Sequence, residues 1–260
     1  VGESSTVPAL RHGLALLRQL SRLGQPAPAS ALAAELGLPR STTYHLLAEL
    51  ERAGLVVHLP EEQRYGLGVG VYELGAAYTK QAPLARLARP LLTGLVDSTG
   101  HSAHLAVLHG REVLYLVEER ARGGPSLVTD VGVRLPAQLT ASGRALLAGL
   151  PAAQVRALFP DASAFVRRHG LGPRRPADLR ALLVDVRRRG YAVEDGEVTP
   201  GFASVAVPAT DHTGHPVAAV ASTFDQARVG EASWPGLAER VAAAAGELAR
   251  RIGGAPHPRW

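Results

Sequence analysis

The chain contains no cysteine, so disulfides, thiolate nucleophiles and cysteine-ligated metals are excluded at once. It has no methionine, a single lysine (Lys80) against many arginines, and it opens on Val1. That usage is expected of a GC-rich genome with a GTG start and concerns codons rather than function. No apolar run approaches the roughly 20 residues that a membrane-spanning helix needs. No charged-then-apolar leader stands at the amino terminus. The expectation is a cytoplasmic protein with no membrane partner. Signatures of catalysis are missing too: there is no G-x-S-x-G elbow, no P-loop, and no G-x-G-x-x-G followed by an acidic residue. Ten histidines raise the question of a metal. His101 and His104, if on one strand, point to opposite faces, and His212 and His215 only flank a turn. Three or four convergent ligands are not visible. No catalytic residue, metal or cofactor is expected.

What is present suits a folded chain. The 260 residues are 46% hydrophobic and 20% charged, enough for a proper core in one large or two modest domains. The net charge of +5 and pI of about 10.1 invite a nucleic-acid reading. The distribution weakens it. Residues 1–80 hold seven Lys/Arg and seven Asp/Glu, whereas residues 81–260 hold 21 basic against 16 acidic side chains. Much of that excess is Arg167-Arg168, Arg174-Arg175 and Arg187-Arg188-Arg189, read as solvated faces and helix C-termini. An argument for DNA therefore has to rest on a motif and not on the pI.

Residues 29–64 supply the motif. Ala31, Leu32, Ala33, Ala34 and Leu36 make a short apolar helix. Gly37 suits a left-handed cap, and Pro39 disfavours a helical Leu38. A second helix starts near Arg40-Ser41, with Ser41 or Thr42 available to cap its first turn. Its Leu46, Leu47 and Leu50 face inward. Leu55-Val56-Val57 and Tyr65-Gly66-Leu67 read as strands joined by Pro60-Glu61-Glu62-Gln63. Helix, turn, helix and hairpin is the layout of a winged helix-turn-helix. A single helix fits the DNA major groove and meets base edges with its N-terminal residues. Here these are Arg40, Ser41, Thr42, Tyr44 and His45, with Arg64 in the wing placed for backbone contact. A packed αα-hairpin with a solvated polar face is the plainer alternative. A neutral module of this kind should lean on few phosphate contacts and on dimerisation.

The segments LPRSTTYHLLAELERAGLVV and RYGLGVGVYELG resemble the DNA-binding half of the IclR family of bacterial transcriptional regulators, and further motifs extend the resemblance over nearly the whole chain. HSAHLAVLHGREVLYLVEER (101–120) reads as two strands about a His109-Gly110 turn and resembles the family's TGxxxHLAVL…EVxYL. Leu127-Val128-Thr129 reads as another strand. Gly132 to Pro136, with Thr140-Ala141-Ser142-Gly143-Arg144-Ala145-Leu146-Leu147-Ala148, matches G-x-R-x-P…A-x-G-[KR]-A-L-L-A. Residues 191–208 look like GYAxDxEE…GVxCVAAPV, with Ser204 in place of the usual Cys and Gly196 in place of an acidic residue.

Residues 9–23 form an amphipathic helix whose stripe (Leu10, Leu14, Leu17, widened by Leu16, Leu20 and Leu23) suits a core and a partner subunit. Helices are also expected over 152–158, 177–189 and 234–252, and a strand over 217–223. The fold class is α+β: a winged helix-turn-helix over 1–68, a linker helix over 69–82, and over 83–260 an antiparallel sheet with helices on one side. The resemblance makes that last part a GAF-like effector-binding domain. It implies a pocket formed by Ala141, Ser142, Glu194, Asp195, Phe202, Ser204, Ala221 and Thr223. Backbone N–H groups at 141–143 with the Ser204 and Thr223 hydroxyls would hold a small organic acid, aromatic acids included. Each position can equally be an ordinary core or turn residue. The resemblance implies a ligand-responsive regulator on a palindromic double-stranded DNA operator, as a homodimer or homotetramer. Two rivals remain: a winged helix that binds protein, and a small-acid enzyme in the C-terminal domain.

Overall fold

The structure, a computed structural model, describes residues 7–81, 83–121 and 129–254. The chain divides into two compact units, Val1–Ala82 and Pro83–Trp260.

In the first unit α1 (Pro8–Leu23) starts on a proline, whose missing N–H costs nothing in a first turn. Leu16 and Leu20 are buried, while Leu10, Leu14 and Leu23 remain exposed. Next, α2 (Ala29–Leu36) ends at Gly37, whose φ of 62° is left-handed, a conformation that glycine adopts without strain. The second helix of the pair, α3 (Arg40–Arg52), has Pro39 at its N-cap, with no side-chain cap. Neither Ser41 nor Thr42 caps it. The fixed φ of Pro39 lets the helix begin one residue before the hydroxyls, so both lie inside the first turn. Thr43 instead donates its hydroxyl to the Pro39 carbonyl at 3.1 Å. The wing is β1 (Val56–Leu59) against β2 (Arg64–Leu67), with Val56 opposite Leu67 and Leu59 opposite Arg64. Two backbone bonds between Ala27 and Tyr65 tie it to the loop before α2. After the wing, α4 runs Val69–Gln81. Leu16, Leu20, Leu32, Leu47 and Val56 form the core.

The second unit begins with α5 (Pro83–Thr99). Its strands are β3 (Ser102–His109), β4 (Glu112–Glu119), β5 (Arg134–Pro136), β6 (Ala192–Asp195), β7 (Phe202–Thr210) and β8 (Pro216–Asp225). They form one antiparallel sheet in the order β5-β4-β3-β8-β7-β6. Three helices, α6 (Ala141–Gly149), α7 (Ala152–Leu158) and α8 (Pro176–Arg189), contribute to the core on one face. On the other lie α5 and α9 (Trp234–Arg251). The expectation of helices on one side is thus corrected: both faces are covered. The reason is visible in β3, β7 and β8, whose alanines and valines bury successive residues rather than alternate ones.

A register shift between Leu105 and Ala106 changes which face each residue serves. Leu105 and Val117 belong to the α5/α9 core, whereas Val113 and Tyr115 belong to the α6 core. A bulge of this kind re-aims side chains mid-strand. The proposed strand at 127–129 falls largely outside the described residues; Thr129 itself is buried and is not in a strand.

Leu47 is fully buried at the centre of the smaller core. Leu47→Ala should destabilise the first unit by about 2–5 kcal/mol, read as a lower denaturation midpoint for that unit.

Candidate functional site

The first turn of α3 presents a polar surface. Arg40, Ser41, Tyr44 and His45 are exposed and Thr42 is half-buried, while Thr43 and Leu47 turn inward. Among the described residues no acceptor takes the N–H groups of Arg40, Ser41 or Thr42. Such a helix start carries partial positive charge and free donors. Arg64 lies on the wing and donates to the Pro26 carbonyl at 3.1 Å, so part of its guanidinium is already used. Tyr44 meets Tyr65 edge-on at 6.5 Å, and Tyr65 stacks on His58 at 4.5 Å. This row joins the helix start to the wing. His58 and Tyr65 were not among the sequence candidates. The signal was their register, since they face each other directly across the hairpin.

The second site lies between the start of α6 and the sheet. Ala141, Ser142, Glu194, Phe202, Ser204, Ala221 and Thr223 line one cavity, together with His104, Tyr115, Thr129, Thr140, Val198 and Thr199. Seven of the eight effector candidates therefore converge. Asp195 does not: it is exposed and accepts from Gln226 Nε2 at 2.5 Å. The free space is about 20 Å3 for a water-sized sphere, room for about one water molecule.

The helix that roofs the cavity is buried over its whole length from Ala141 to Ala148. Thr140 caps it by accepting from the Gly143 N–H at 3.0 Å. That donor, one of the three expected to hold a carboxylate, is thus occupied; those of Ala141 and Ser142 have no acceptor among the described residues. A Cβ on Gly143 would lie 2.2 Å from the Ala137 carbonyl oxygen. This glycine serves close packing, which is why the motif needs it.

Glu194 is 3% exposed. Its Oε1 accepts from the Val198 N–H at 2.9 Å and its Oε2 from Ser204 Oγ at 3.2 Å. Ser204 lies 2.9 Å from Thr223 Oγ1; with its one proton given to Glu194, Thr223 is the donor in that pair. Burial pushes the Glu194 carboxyl up to about 7, helped by nearby Glu197 and opposed by the Val198 N–H, Ser204 and Arg144. Burial and the charge of Arg120 hold His104 down to about 4. His104 packs edge-on against Tyr115, at 5.8 Å, and burial raises the Tyr115 phenol.

Arg144, read from sequence only as part of a motif, proves structural. It is 3% exposed and donates to Gln138 O (2.9 Å), Val193 O (2.6 Å) and Glu197 Oε1 (2.6 Å). It ties α6 to β6 and to the turn after it, and it does not line the cavity. A roomier groove of about 140 Å3 lies between α7 and α8, floored by Val155, Phe159, Leu179 and Leu183. It contains none of the sequence candidates. No group of three or more metal-ligating side chains occurs among the described residues, and no described helix is long and apolar enough to cross a membrane.

A winged helix-turn-helix with an exposed polar helix start, followed by an α+β unit with a buried polar cavity, defines a two-part DNA-binding regulator. Residues 9–60 match the IclR helix-turn-helix domain, and residues 76–250 match the bacterial transcriptional regulator IclR C-terminal domain. The chain belongs to the IclR family of bacterial transcriptional regulators. It is 30% identical over 218 residues to the HTH-type transcriptional regulator XynR of Escherichia coli, covering 84% of this chain and 86% of that protein. A solved regulator of this type from Silicibacter sp. TM1040 is 27% identical and superposes with a TM-score of 0.84, over 97% of this chain and 99% of that one. An IclR homologue from Microbacterium hydrocarbonoxydans, solved in complex with 4-hydroxybenzoate, shares the fold at 22% identity, with a TM-score of 0.79 over 94% and 98% of the two chains. The relatives are transcriptional regulators and not enzymes.

The two buried titrating groups affect stability in opposite directions. Glu194 holds a proton in the folded chain that the unfolded chain releases between pH 4.5 and about 7, so its contribution to stability is lost as pH rises through that window. His104 refuses a proton that the unfolded chain accepts, so its contribution is lost as pH falls from 6.5 towards 4. Glu194→Gln should therefore raise the thermal midpoint relative to wild type at about pH 8 and not at about pH 5, with a ceiling near 3 kcal/mol. An equal midpoint difference at both pH values would show that this carboxyl is not the buried titrating group.

Proposed function

We propose that the protein binds a palindromic double-stranded DNA operator as a homodimer or homotetramer, and that a small organic acid held under α6 sets how tightly. The supporting observation for DNA is the first turn of α3, where Arg40, Ser41, Tyr44 and His45 stand exposed beside unpaired N–H groups. With half-buried Thr42, these side chains read bases or phosphates; Arg64 and the wing follow the backbone. In this reading residues 1–68 are the DNA-binding domain, 69–82 the linker helix and 83–260 the effector-binding domain. The exposed leucines of α1 are the surface available to a second copy.

The acid is proposed from the neutral donors that line the cavity, and from the 4-hydroxybenzoate bound to the Microbacterium homologue. A cavity with room for one water admits a ring only if part of its lining moves. Such a movement gives the ligand different free energies in two conformations, which coupling to DNA requires.

A gel-shift on DNA upstream of its own gene provides the test. Arg40→Ala should weaken binding about tenfold, within the range for one lost base or phosphate contact, with the circular dichroism unchanged. Undiminished affinity would remove α3 from its assigned role.

A further inference from the structure

Among the described residues, many polar groups and no cation line the cavity under α6. Its titratable lining residues are His104, Tyr115 and Glu194, and no arginine or lysine lines it among the described residues. Arg144, which stands on the roofing helix, has its guanidinium committed to Gln138, Val193 and Glu197. Arg120 is committed to Glu118 and Asp130.

Several buried polar atoms nevertheless have no hydrogen-bond partner among the described residues: both ring nitrogens of His104, Thr129 Oγ1 and Ser142 Oγ. Orphaned polar atoms in a native interior call for an explanation. Together with the N–H groups of Ala141 and Ser142, they form a set of neutral hydrogen-bonding groups facing one space. They can hold the oxygens of a ligand, but they cannot neutralise its charge. An incoming carboxylate would moreover share a small, enclosed cavity with Glu194, and two carboxylates in such a place do not both stay ionised.

We infer that this pocket takes a small carboxylic acid together with one proton, which Glu194 shares with the ligand's carboxylate. The inference rests on the effector reading above and specifies its chemistry. The step is an association: a ligand carboxylate, the Glu194 carboxylate and one proton from solvent combine, and the only bond formed is O–H. Each oxygen of Glu194 already accepts one internal hydrogen bond, from Val198 or Ser204, and keeps a lone pair for the shared proton.

The groups facing Glu194 are Ser204 on β7, Thr223 on β8, Tyr115 on β4, Arg144 on α6, and Val198 and Glu197 in the turn after β6. The other candidate proton carrier, His104 on β3, sits in register with Glu118 and feels the positive charge of Arg120. Burial and that charge both oppose an imidazolium, whereas burial favours a protonated Glu194. The ligand class follows: monocarboxylic acids with a neutral polar or apolar remainder. A dicarboxylate would bring a second charge with no cation among the described lining residues to balance it.

Calorimetric titration of the full chain with benzoate, 4-hydroxybenzoate and pyruvate reads the proton directly, run at about pH 6 and about pH 8.5 in two buffers of different ionisation enthalpy. At least one acid should bind, take up about one proton at the higher pH, and lose affinity about tenfold per pH unit above about 7. Whatever binding Glu194→Gln retains should show neither the uptake nor the slope. Wild-type binding with no buffer dependence and equal affinity at both pH values would overturn the inference without reference to any variant, leaving the effector reading intact. Uptake that survives Glu194→Gln but vanishes in His104→Gln would overturn the assignment to Glu194. If no acid binds at either pH, the effector reading fails and takes this inference with it, while the gel-shift still decides DNA binding separately.

Discussion

The second unit has to bury both faces of one antiparallel sheet, and the rest of its structure follows from how closely that is done. Small side chains on β3, β7 and β8 let helices approach on either side. At α6 the approach is so close that position 143 has no room for a Cβ beside the Ala137 backbone. Any polar group carried under that helix loses its water. Each must then find an internal partner, accept an altered protonation state, or stay unpaired at a cost of about 1–3 kcal/mol. Arg144 takes the first route, with three internal acceptors. Glu194 and His104 take the second, both favouring the neutral form. Among the described residues, Ser142 and Thr129 take the third.

The Arg144 clamp and the pocket are connected parts of one arrangement. A buried guanidinium persists only if its donors are met, and removing its partner typically costs about 3–5 kcal/mol. Meeting them draws Val193 and Glu197 towards α6, and Glu194 lies between those two in sequence. The clamp therefore positions the carboxylate that faces the cavity without itself facing it. Ser204, standing where the family pattern has Cys, fits the same arrangement. A hydroxyl is a better donor than a thiol, and here it bridges Glu194 and Thr223.

The helix-turn-helix was legible because its punctuation is local: Gly37, Pro39 and Gly54 mark breaks that no distant contact can move. The effector candidates were legible through motifs, and seven of the eight meet in one cavity. Asp195 shows the limit of that method. Consecutive residues of a strand face opposite ways, so with Glu194 inward on β6, its neighbour cannot line the same space. His104, Tyr115 and Thr129 were missed as pocket residues for a different reason. They come from β3, β4 and a loop whose neighbours in space are set by the sheet order, and strand order is not encoded in any short window. The irregularity opposite Leu105 and Ala106 hid the rest, since an unbroken alternation along β4 would have placed Val117 in one core with Val113 and Tyr115.

Charge is arranged differently in the two units. The first carries seven cations and seven anions among residues 1–80, so no net field draws it to DNA, and in the proposed reading the attraction is local to the start of α3. Local attraction gives few phosphate contacts and a shallow dependence on salt. In the proposed dimer, occupancy then depends on both heads engaging at once, because the second contact is made at the high effective concentration set by the first. That advantage vanishes when the spacing of the heads no longer matches the half-sites. A regulator with weak individual heads is therefore sensitive to small changes in their geometry. A ligand-driven movement in a separate domain can act on such a system with a modest difference in affinity between two arrangements.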